Sequence, residues 1–463
     1  MSDQTALPLQ HEQEFAASLL RLSRSITPAM RQIATRHIID FLGVAIAGLE
    51  TQSVDTVRSL LSIAEEPDGG RVLGSPARLS MSDAILVNAM AGHIHDFDDD
   101  ETLLSIAHVT VPVTAAAWTY GERIGASGEQ IVAAYVTGVE AMMRIGQIVN
   151  PAHYRKGWHS SATLGGLGAA TAIAVLSGFD ETRMLHALRF AASMSSGIRK
   201  SFGSDAKSIQ LGRSAANGYF AAQLAGAGST TSEGMLFGPQ GFVGMYDGDA
   251  TQVPDAIAAM NEQAGVIAPG ITIKAYPCCT ATHTAIESVL TLARDHAIDW
   301  SEIARITVTM GVDLPSVLPY DRPHRGLEGK FSMRYCAAAA ARFGRMGIAE
   351  FTDDATQEAG VQRMLDRTQV VVDHDTPRPA VGLADHARVV IEMTSGNVYE
   401  RFLAHTLGSV QRPIPEPVLQ QKYLDCTTPV IGAEMAMSSY VALRDLSLLT
   451  DVSGVFLLQT TIA

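Results

Sequence analysis

Apolar residues along most of the chain recur at the roughly three-to-four-residue spacing of helices that bury one face. The spacing holds from about residue 12 to 226 and returns from about residue 415 to the end. The clearest start signal is Thr27-Pro28, ahead of a helix towards Gly48, since Thr caps helices and Pro is tolerated in their first turn. Further helices are predicted from about Ser82 and over residues 110–124, 128–145, 161–177, 181–195 and 209–225. The Gly- and Ala-rich segment 161–177 is expected to be a buried central helix.

After residue 267 short runs rich in β-branched residues interrupt the helical spacing. Strands are predicted over residues 305–310 and 368–372, and residues 388–392 and 397–402 are predicted to form a hairpin around a turn at 394–396. Helices at about 282–296 and 331–341 lie between these strands. The pattern predicts a mainly α fold with an inserted α+β domain. The expected division is a helical domain in residues 1–268, an α+β domain in 269–404, and a C-terminal return to the helical domain in 405–463.

Length and charge narrow the class of protein. A chain of 463 residues exceeds what one hydrophobic core usually organises. The net charge of -14 disfavours a general nucleic-acid binder, which needs a basic face. The polar N-terminus has no signal pattern, and no apolar run reaches the roughly 18 residues of a membrane span, so a cytoplasmic protein without membrane contact is expected. Four cysteines without a CxxC pair indicate reduced thiols rather than a zinc ribbon or disulfide framework.

The most unusual stretch of the chain is residues 92–101, which is followed by His108. It holds two imidazoles and five carboxylates directly after an apolar helical run. Crowded carboxylates repel one another, and each is costly to remove from water. A solvated helix end is the alternative interpretation. The junction of burial and charge nevertheless favours an active site.

Four small clusters place cations beside glycine or proline turns. They are residues 156–159, residues 199–200 with Lys207, residues 274–279 with His283, and residues 330–335. In an acidic protein such clusters indicate a pocket for an anion, because Lys and Arg hold carboxylates while His transfers protons. Each cluster also has an ordinary interpretation, as solvated lysines and core aromatic residues.

Other chemistries have weaker signals. No phosphate loop is present, and the glycines near residue 166 lie inside a helical pattern without a preceding strand. A metal site built from His93, His95 and the following acids stays open, although no known ligand spacing is present. A nucleophilic thiol at Cys279, with His283 four residues later, is a further alternative.

Several of these segments occur in an order that is more specific than any one of them. They are, in chain order, HDFDD at 95–99, GWH at 157–159, Phe202-Gly203 with Lys207, Ile273-Lys274 ahead of Tyr276-Pro277, and Lys330-Phe331-Ser332 with Tyr335. Read together, they resemble the MmgE/PrpD family. The resemblance extends from the helix at Pro28 to residues 422–426. That family includes 2-methylcitrate dehydratase, cis-aconitate decarboxylase and iminodisuccinate epimerase.

The resemblance carries expectations about architecture and partners. It implies a helical domain, a smaller lid domain, a homodimer, and a site in the cleft between the domains. It also implies a small anionic polycarboxylate as substrate, with neither a metal nor an organic cofactor.

The acidic motif supplies three of the implied site residues. The first acid of the motif is Asp96, which is expected to orient the catalytic histidine or to serve as its partner acid or base. The threonine that follows it is best matched by Thr102, and the catalytic histidine, which is expected to exchange the proton, is best matched by His108. Asp100 and Glu101 are two extra residues in that loop. The matches at Thr102 and His108 therefore depend on where the loop places them.

The remaining implied residues come from the later motifs. Lys207 and Lys274 are expected to clamp substrate carboxylates, and His159 to stabilise an enolate-like intermediate. Tyr335 is expected to protonate a leaving group or donate a hydrogen bond. Cys279 occupies a substrate-binding position where decarboxylase-like members carry histidine, which disfavours decarboxylation of cis-aconitate.

Three reactions share such machinery. Loss of hydroxide gives a dehydratase, loss of carbon dioxide gives a decarboxylase, and reprotonation on the opposite face gives an epimerase. A hydro-lyase acting on a hydroxylated di- or tricarboxylate is expected first, and the epimerase second. A non-catalytic helical binding protein is the alternative outside this class, since fold does not fix function.

Overall fold

The computed structural model describes residues 3–61, 69–375 and 386–456. The α-helices are, in chain order, α1 (Asp3–Ser23), α2 (Pro28–Gly48), α3 (Gln52–Leu60), α4 (Met81–Ile94), α5 (Thr110–Ile124), α6 (Gly128–Val149), α7 (Ala152–Lys156), α8 (Ser160–Leu176), α9 (Glu181–Ser193), α10 (Asp205–Gly226), α11 (Phe242–Met245), α12 (Val253–Glu262), α13 (His283–Asp295), α14 (Gly326–Gly329), α15 (Met333–Phe343), α16 (Asp353–Gln357), α17 (Ala359–Arg367), α18 (Glu416–Ile431) and α19 (Ala433–Arg444). The strands are β1 (Gly70–Arg71), β2 (Arg78–Leu79), β3 (Ile303–Gly311), β4 (Thr368–Asp373), β5 (Ala387–Met393) and β6 (Val398–Leu403).

Helix α8 is the centre of the helical part, as the Gly- and Ala-rich pattern predicts. Every residue of α8 except Val175 is buried. It packs against α5, α6, α9 and α10. Small residues allow this, since a Cβ built on Gly218 of α10 would lie 2.5 Å from the carbonyl oxygen of Gly166. Helix α8, which follows His159, and helix α10, which contains Lys207, are therefore in backbone contact.

The sequence marks the start of α2 clearly and the start of α10 poorly. Thr27 caps α2 as expected, with its side chain accepting from the backbone N–H of Met30. Helix α10 begins at Asp205 rather than 209, so it includes Lys207. The first turn of α10 is polar, and apolar periodicity therefore does not reveal it.

The second part of the molecule contains a four-stranded mixed sheet in the order β4-β3-β5-β6. The predicted hairpin is confirmed, because β5 and β6 pair antiparallel. Strand β3 pairs antiparallel with β5 and parallel with β4, so Val308 lies between Val370 and Val389. Helices α13 and α15 pack on this sheet. The predicted fold class, mainly α with a smaller α+β part, is confirmed.

The buried apolar side chains form two large clusters. The first draws on residues between 15 and 273 and again between 414 and 456. The second draws on residues between 278 and 391, together with Phe202 from the helical part. The chain thus forms most of the helical core first and then the sheet with its helices. Helices α18 and α19 follow and pack in the helical core again.

Among the helices of the described ranges, none is by itself long and apolar enough to cross a membrane. Helices α2 and α3 meet the length and composition only as a pair, with a bend of 80° between them.

Candidate active site

A cavity lies where the end of α4, the first turn of α10 and segments of the α+β part meet. Asp96, His108, His159, Lys207 and Lys274 all line it. These residues are far apart in sequence and come from both parts of the molecule. The structure therefore brings together the carboxylate, two imidazoles and two lysines that the sequence singles out.

Asp96 is the centre of this cluster. It follows the last residues of α4 with a positive φ of 50°, which turns the chain back at the helix end. Its Oδ1 accepts from Nζ of Lys207 at 2.7 Å and lies 3.3 Å from Nζ of Lys274. Burial alone would raise the pKa of Asp96, but the two ammonium groups outweigh it and lower this pKa below its usual range. Asp96 is therefore a carboxylate at neutral pH.

Both lysines are held in place by this carboxylate. Lys274 is fully buried, and its Nζ also donates to the backbone carbonyl of Asp96 at 3.0 Å. Burial lowers its pKa, but the charge of Asp96, with help from Asp100, raises the pKa overall. Lys207 donates to Nε2 of His93 at 2.7 Å in addition to Asp96. The cavity wall therefore carries two protonated ammonium groups.

His93 and His108 share one carboxylate. Oδ2 of Asp98 lies 2.9 Å from Nδ1 of His93 and 2.8 Å from Nδ1 of His108. Burial lowers the pKa of His93 to about 3, so this ring is neutral. Because Lys207 can only donate to Nε2 of His93, the proton of that ring lies on Nδ1 and faces Asp98.

His108 is oriented towards the cavity by its neighbours. Its Nδ1 lies between two acceptors, Asp98 Oδ2 and the carbonyl of Asp99 at 3.0 Å, and so carries a proton. Its Nε2 lies 3.7 Å from Oδ1 of Asp96. The Nε2 atom is therefore the one that is able to exchange a proton with a bound molecule.

His159 enters from the start of α8. Its Nδ1 lies 3.1 Å from Oε1 of Gln210, and its Nε2 is buried without a hydrogen-bond partner in the part of the chain described. Burial, with the charge of Lys207, lowers the pKa of His159 well below its usual value. The ring is consequently neutral.

Thr102 also lines the cavity, although two extra acids precede it. These acids stabilise the loop. Asp100 pairs with Thr272 through the backbone, and its Oδ2 accepts from Oγ1 of Thr280 at 2.6 Å. The carboxylate of Glu101 accepts from the backbone N–H groups of residues 103–105. The loop therefore keeps Thr102 and His108 at the cavity.

Cys279 lines the cavity as well, but burial raises the pKa of its thiol to about 12. A thiolate is the form required of a nucleophile. His283 does not activate this thiol, because its Nε2 lies 3.1 Å from the carbonyl of Cys278. Cys279 is thus a protonated thiol in the wall.

Two residues of the last motif lie away from the cavity. Tyr335 is fully buried, and its hydroxyl donates to the carbonyl of Glu350. Lys330 donates to the carbonyls of His95 and Pro277, both at 2.8 Å, and joins the end of α4 to the α+β part. In this structure both side chains hold backbone segments together, so the expected role of Tyr335 as a proton donor has no support from its position.

Sequence reasoning missed three contributors. Asp98 bridges two histidines, Tyr154 lines the cavity with Arg199 stacked 4.2 Å from its ring centre, and Gln210 contacts His159. Gln210 follows Lys207 by three residues on α10, so helical spacing could have indicated it. Tyr154 has no comparable signal.

The candidate metal ligands are different from those expected. Ligand atoms of His93, Asp96, Asp98 and His108 lie within 4.8 Å of one another, whereas Nε2 of His95 lies 3.4 Å from the carbonyl of Ala47. Nζ of Lys207 is hydrogen-bonded to two members of this group. A divalent ion there would have to displace or face an ammonium group, so the donor set fits a lysine better than a metal.

Comparison with known proteins gives the same domain order as the fold. No curated protein matches the chain. Residues 14–254 match the MmgE/PrpD N-terminal domain, and residues 276–446 match the MmgE/PrpD C-terminal domain. The two matches cover most of the chain and contain every residue of the cluster except Lys274, which lies between them. With the helical domain, the α+β part and this cluster in the expected order, the chain belongs to the MmgE/PrpD family.

Proposed function

We propose that this protein is a carbon-acid enzyme, and that its reaction is the removal of water from a small hydroxylated di- or tricarboxylate. Membership of a family of dehydratases, decarboxylases and epimerases supports an enzyme. The observation that carries the proposal is the pair of buried ammonium groups, Lys207 and Lys274, beside two imidazoles in one cavity.

The two lysines suit a reaction that develops negative charge on carbon. Loss of a proton next to a carboxylate spreads charge onto the carboxylate oxygens, and fixed positive charge lowers that barrier. Lys207 and Lys274 are already positioned by Asp96, so little reorganisation is needed when the charge forms. Asp96 is therefore assigned to holding the lysines rather than to proton transfer.

Unpaired acceptors in the cavity support a hydroxylated substrate. Oδ2 of Asp96, Oδ1 of Asp100 and Nε2 of His159 are buried and have no partner among the described residues. Buried acceptors are normally satisfied, and a substrate hydroxyl supplies the missing donor. His108, which in this role carries a proton on Nε2 as well as on Nδ1, is assigned as the acid that protonates the departing hydroxide.

Epimerisation is the second candidate, and a specific feature favours it. His108 and His159 both line the same cavity, so one ring is able to remove a proton that the other returns. The unpaired acceptors also suit the N–H of an amino acid derivative. Decarboxylation has less support, because Cys279 is a protonated thiol where decarboxylase-like members carry histidine.

Incubation with candidate hydroxy acids in deuterium oxide tests the proposal. We expect deuterium at the carbon next to a carboxylate, together with a product lighter by one water. Unchanged mass with inverted chirality would indicate the epimerase instead. Absence of exchange from a folded protein with every hydroxy- and amino-dicarboxylate would contradict a carbon-acid enzyme.

A variant pair identifies the proton-transferring group. His108→Ala should lower kcat about 10²- to 10⁴-fold, the usual contribution of general acid–base catalysis. His324→Ala is the matched control, since His324 is exposed and outside the cavity. Equal activity of the two variants would count against His108.

A further inference from the structure

The side-chain amide of Gln210 has a defined orientation. Its Oε1 lies 3.2 Å from the backbone nitrogen of Ile198 and 3.4 Å from Oγ of Ser201. A backbone N–H only donates, so the amide atom facing it is the oxygen. The segment that supplies this N–H is itself fixed, because Ile198 is bridged to Trp158. The amide therefore presents an acceptor to whatever else it contacts.

His159 is the other group in contact with that oxygen. Nδ1 of His159 lies 3.1 Å from Oε1 of Gln210 and must donate to it. In a neutral imidazole the proton on Nδ1 leaves Nε2 with a lone pair. Nε2 is the atom that is buried and unpartnered within the described chain, on a side chain that lines the cavity. This ring is therefore equipped to accept a proton.

We propose that Gln210 is a positioning residue that fixes His159 as the tautomer with a free Nε2, and that this Nε2 is the base that removes the proton from the substrate carbon. The inference rests on the proposed function and assigns its first step. It also revises the expected role of His159, since a ring without a proton on Nε2 has no hydrogen to donate to an enolate oxygen.

The proton balance of the step is complete without further reagents. The carbon–hydrogen bond breaks, its proton goes to Nε2 of His159, and its electron pair delocalises into the carboxylate beside Lys207 and Lys274. The imidazolium keeps its Nδ1 proton on Gln210. In elimination His108 starts as the imidazolium, with protons on both Nδ1 and Nε2, and the departing hydroxide takes the Nε2 proton to form water. Afterwards His159 releases the proton that it gained to solvent, and His108 takes one up.

Two conditions favour a base at this position. Burial and the nearby charge of Lys207 keep the His159 ring neutral until the substrate proton arrives. Phe202 covers one side of the ring edge-on, with the centres 5.2 Å apart, and limits its rotation. The carboxylate of the substrate, held by the lysines, would then lie beside Nε2.

The first test needs no substrate. With nitrogen-15 in the histidines, the free protein should show His159 with a protonated Nδ1 and a bare Nε2, and His159→Gln assigns the signals. In Gln210→Leu the ring should change to the other tautomer or to a mixture. A protonated Nε2 in the unaltered protein, or an unchanged tautomer in Gln210→Leu, would overturn the inference.

The second test uses kinetics on whichever acid exchanges deuterium. Gln210→Leu should lower kcat about 100-fold, at the lower end of general base catalysis, with KM nearly unchanged. Gln210→Glu keeps the acceptor and should recover most of this loss, while its charge moves the acidic limb of the pH profile to higher pH. Gln223→Leu, an exposed glutamine of the same helix, is the control and should behave as the unaltered protein.

The outcomes separate this inference from the function on which it rests. If the tautomer is as stated and no acid exchanges deuterium, the proposed function fails and the role of Gln210 in orienting His159 survives. If acids exchange and Gln210→Leu retains full kcat, the function survives and the inference fails.

Discussion

Two aspartates in this chain allow the value of burial to be measured directly. Asp96 and Asp247 each accept a lysine hydrogen bond, from Lys207 at 2.7 Å and from Lys156 at 2.6 Å. Both have a positive φ, of 50° and 67°. Asn is well tolerated in that backbone region, so Asp→Asn changes the charge at either site with little backbone cost. The two sites differ in exposure.

The expected losses follow from that difference. The side chains of Asp96, Lys207 and Lys274 are 3%, 6% and 0% exposed. Asp96→Asn leaves two buried ammonium groups without a counter-charge, and breaking a buried pair typically costs about 3–5 kcal/mol. The side chains of Asp247 and Lys156 are 28% and 61% exposed, so Asp247→Asn should cost less than about 1 kcal/mol.

Urea unfolding of both variants at pH 7 measures these losses, and repeating it at rising pH identifies their cause. In Asp96→Asn the pKa of buried Lys274 should fall below its ordinary 10.5. The unfolded chain then binds more protons than the folded one, so the variant should gain stability as pH rises towards 10.5. Equal losses in the two variants, or a loss in Asp96→Asn that does not change with pH, would refute the reasoning.

Three further results are expected. The pKa values of buried His93 and His95 are both lowered to about 3. The stability that these rings contribute is therefore complete above pH 6.5 and is lost as the pH falls towards 3, at up to about 1.4 kcal/mol per pH unit for each ring. Acid unfolding that begins only below pH 3 would contradict this. Tyr335→Phe removes a buried donor and should lower the free energy of unfolding in urea by about 1 kcal/mol, with unchanged kcat. A large loss of kcat would instead indicate that Tyr335 acts in the reaction. Exhaustive chelation should leave activity intact, because lysines supply the positive charge. A loss of activity that a divalent metal restores would instead favour a metal site at the cluster that includes Asp98.

The fold was largely readable from the spacing of apolar residues. Most of the long helices and the hairpin of β5 and β6 have strong periodic patterns, and their existence was predicted correctly. Helix α1, which begins at Asp3, was not predicted as a separate helix. The short pair β1 and β2 has two residues in each strand and no periodic signal. The parallel pairing of β3 with β4 depends on how α15 and α17 pack, which no local pattern encodes.

The site was partly readable for a different reason. Lys207 and Lys274 were identified by motif order, and only the fold shows that one carboxylate holds both. Tyr335 was a candidate because the motif at residues 330–335 matches one in which the resembling family carries a site tyrosine. Its distance from the cavity follows from the packing of α15 against the segment around Glu350, which depends on contacts remote in sequence.

The acidic run poses a question that the structure answers. An anion pocket built from five carboxylates in ten residues would repel its own ligand if they acted together. Each acid instead has a separate donor. The donors are the two lysines for Asp96, His93 and His108 for Asp98, His37 and Thr110 for Asp99, Thr280 for Asp100, and backbone N–H groups with Ser105 for Glu101.

The consequence for function lies in the donors of the two lysines. Asp96 contacts both ammonium groups, and the charge of Asp100 also acts on Lys274. An ammonium group has three donor hydrogens, and the contacts described above use two on each lysine, so one on each is left for an incoming carboxylate. The acids thus hold the lysines in place without using all of their donors. Lys207→Met removes one of the two lysines and should weaken the binding of carboxylates, while sparing the fold better than Asp96→Asn.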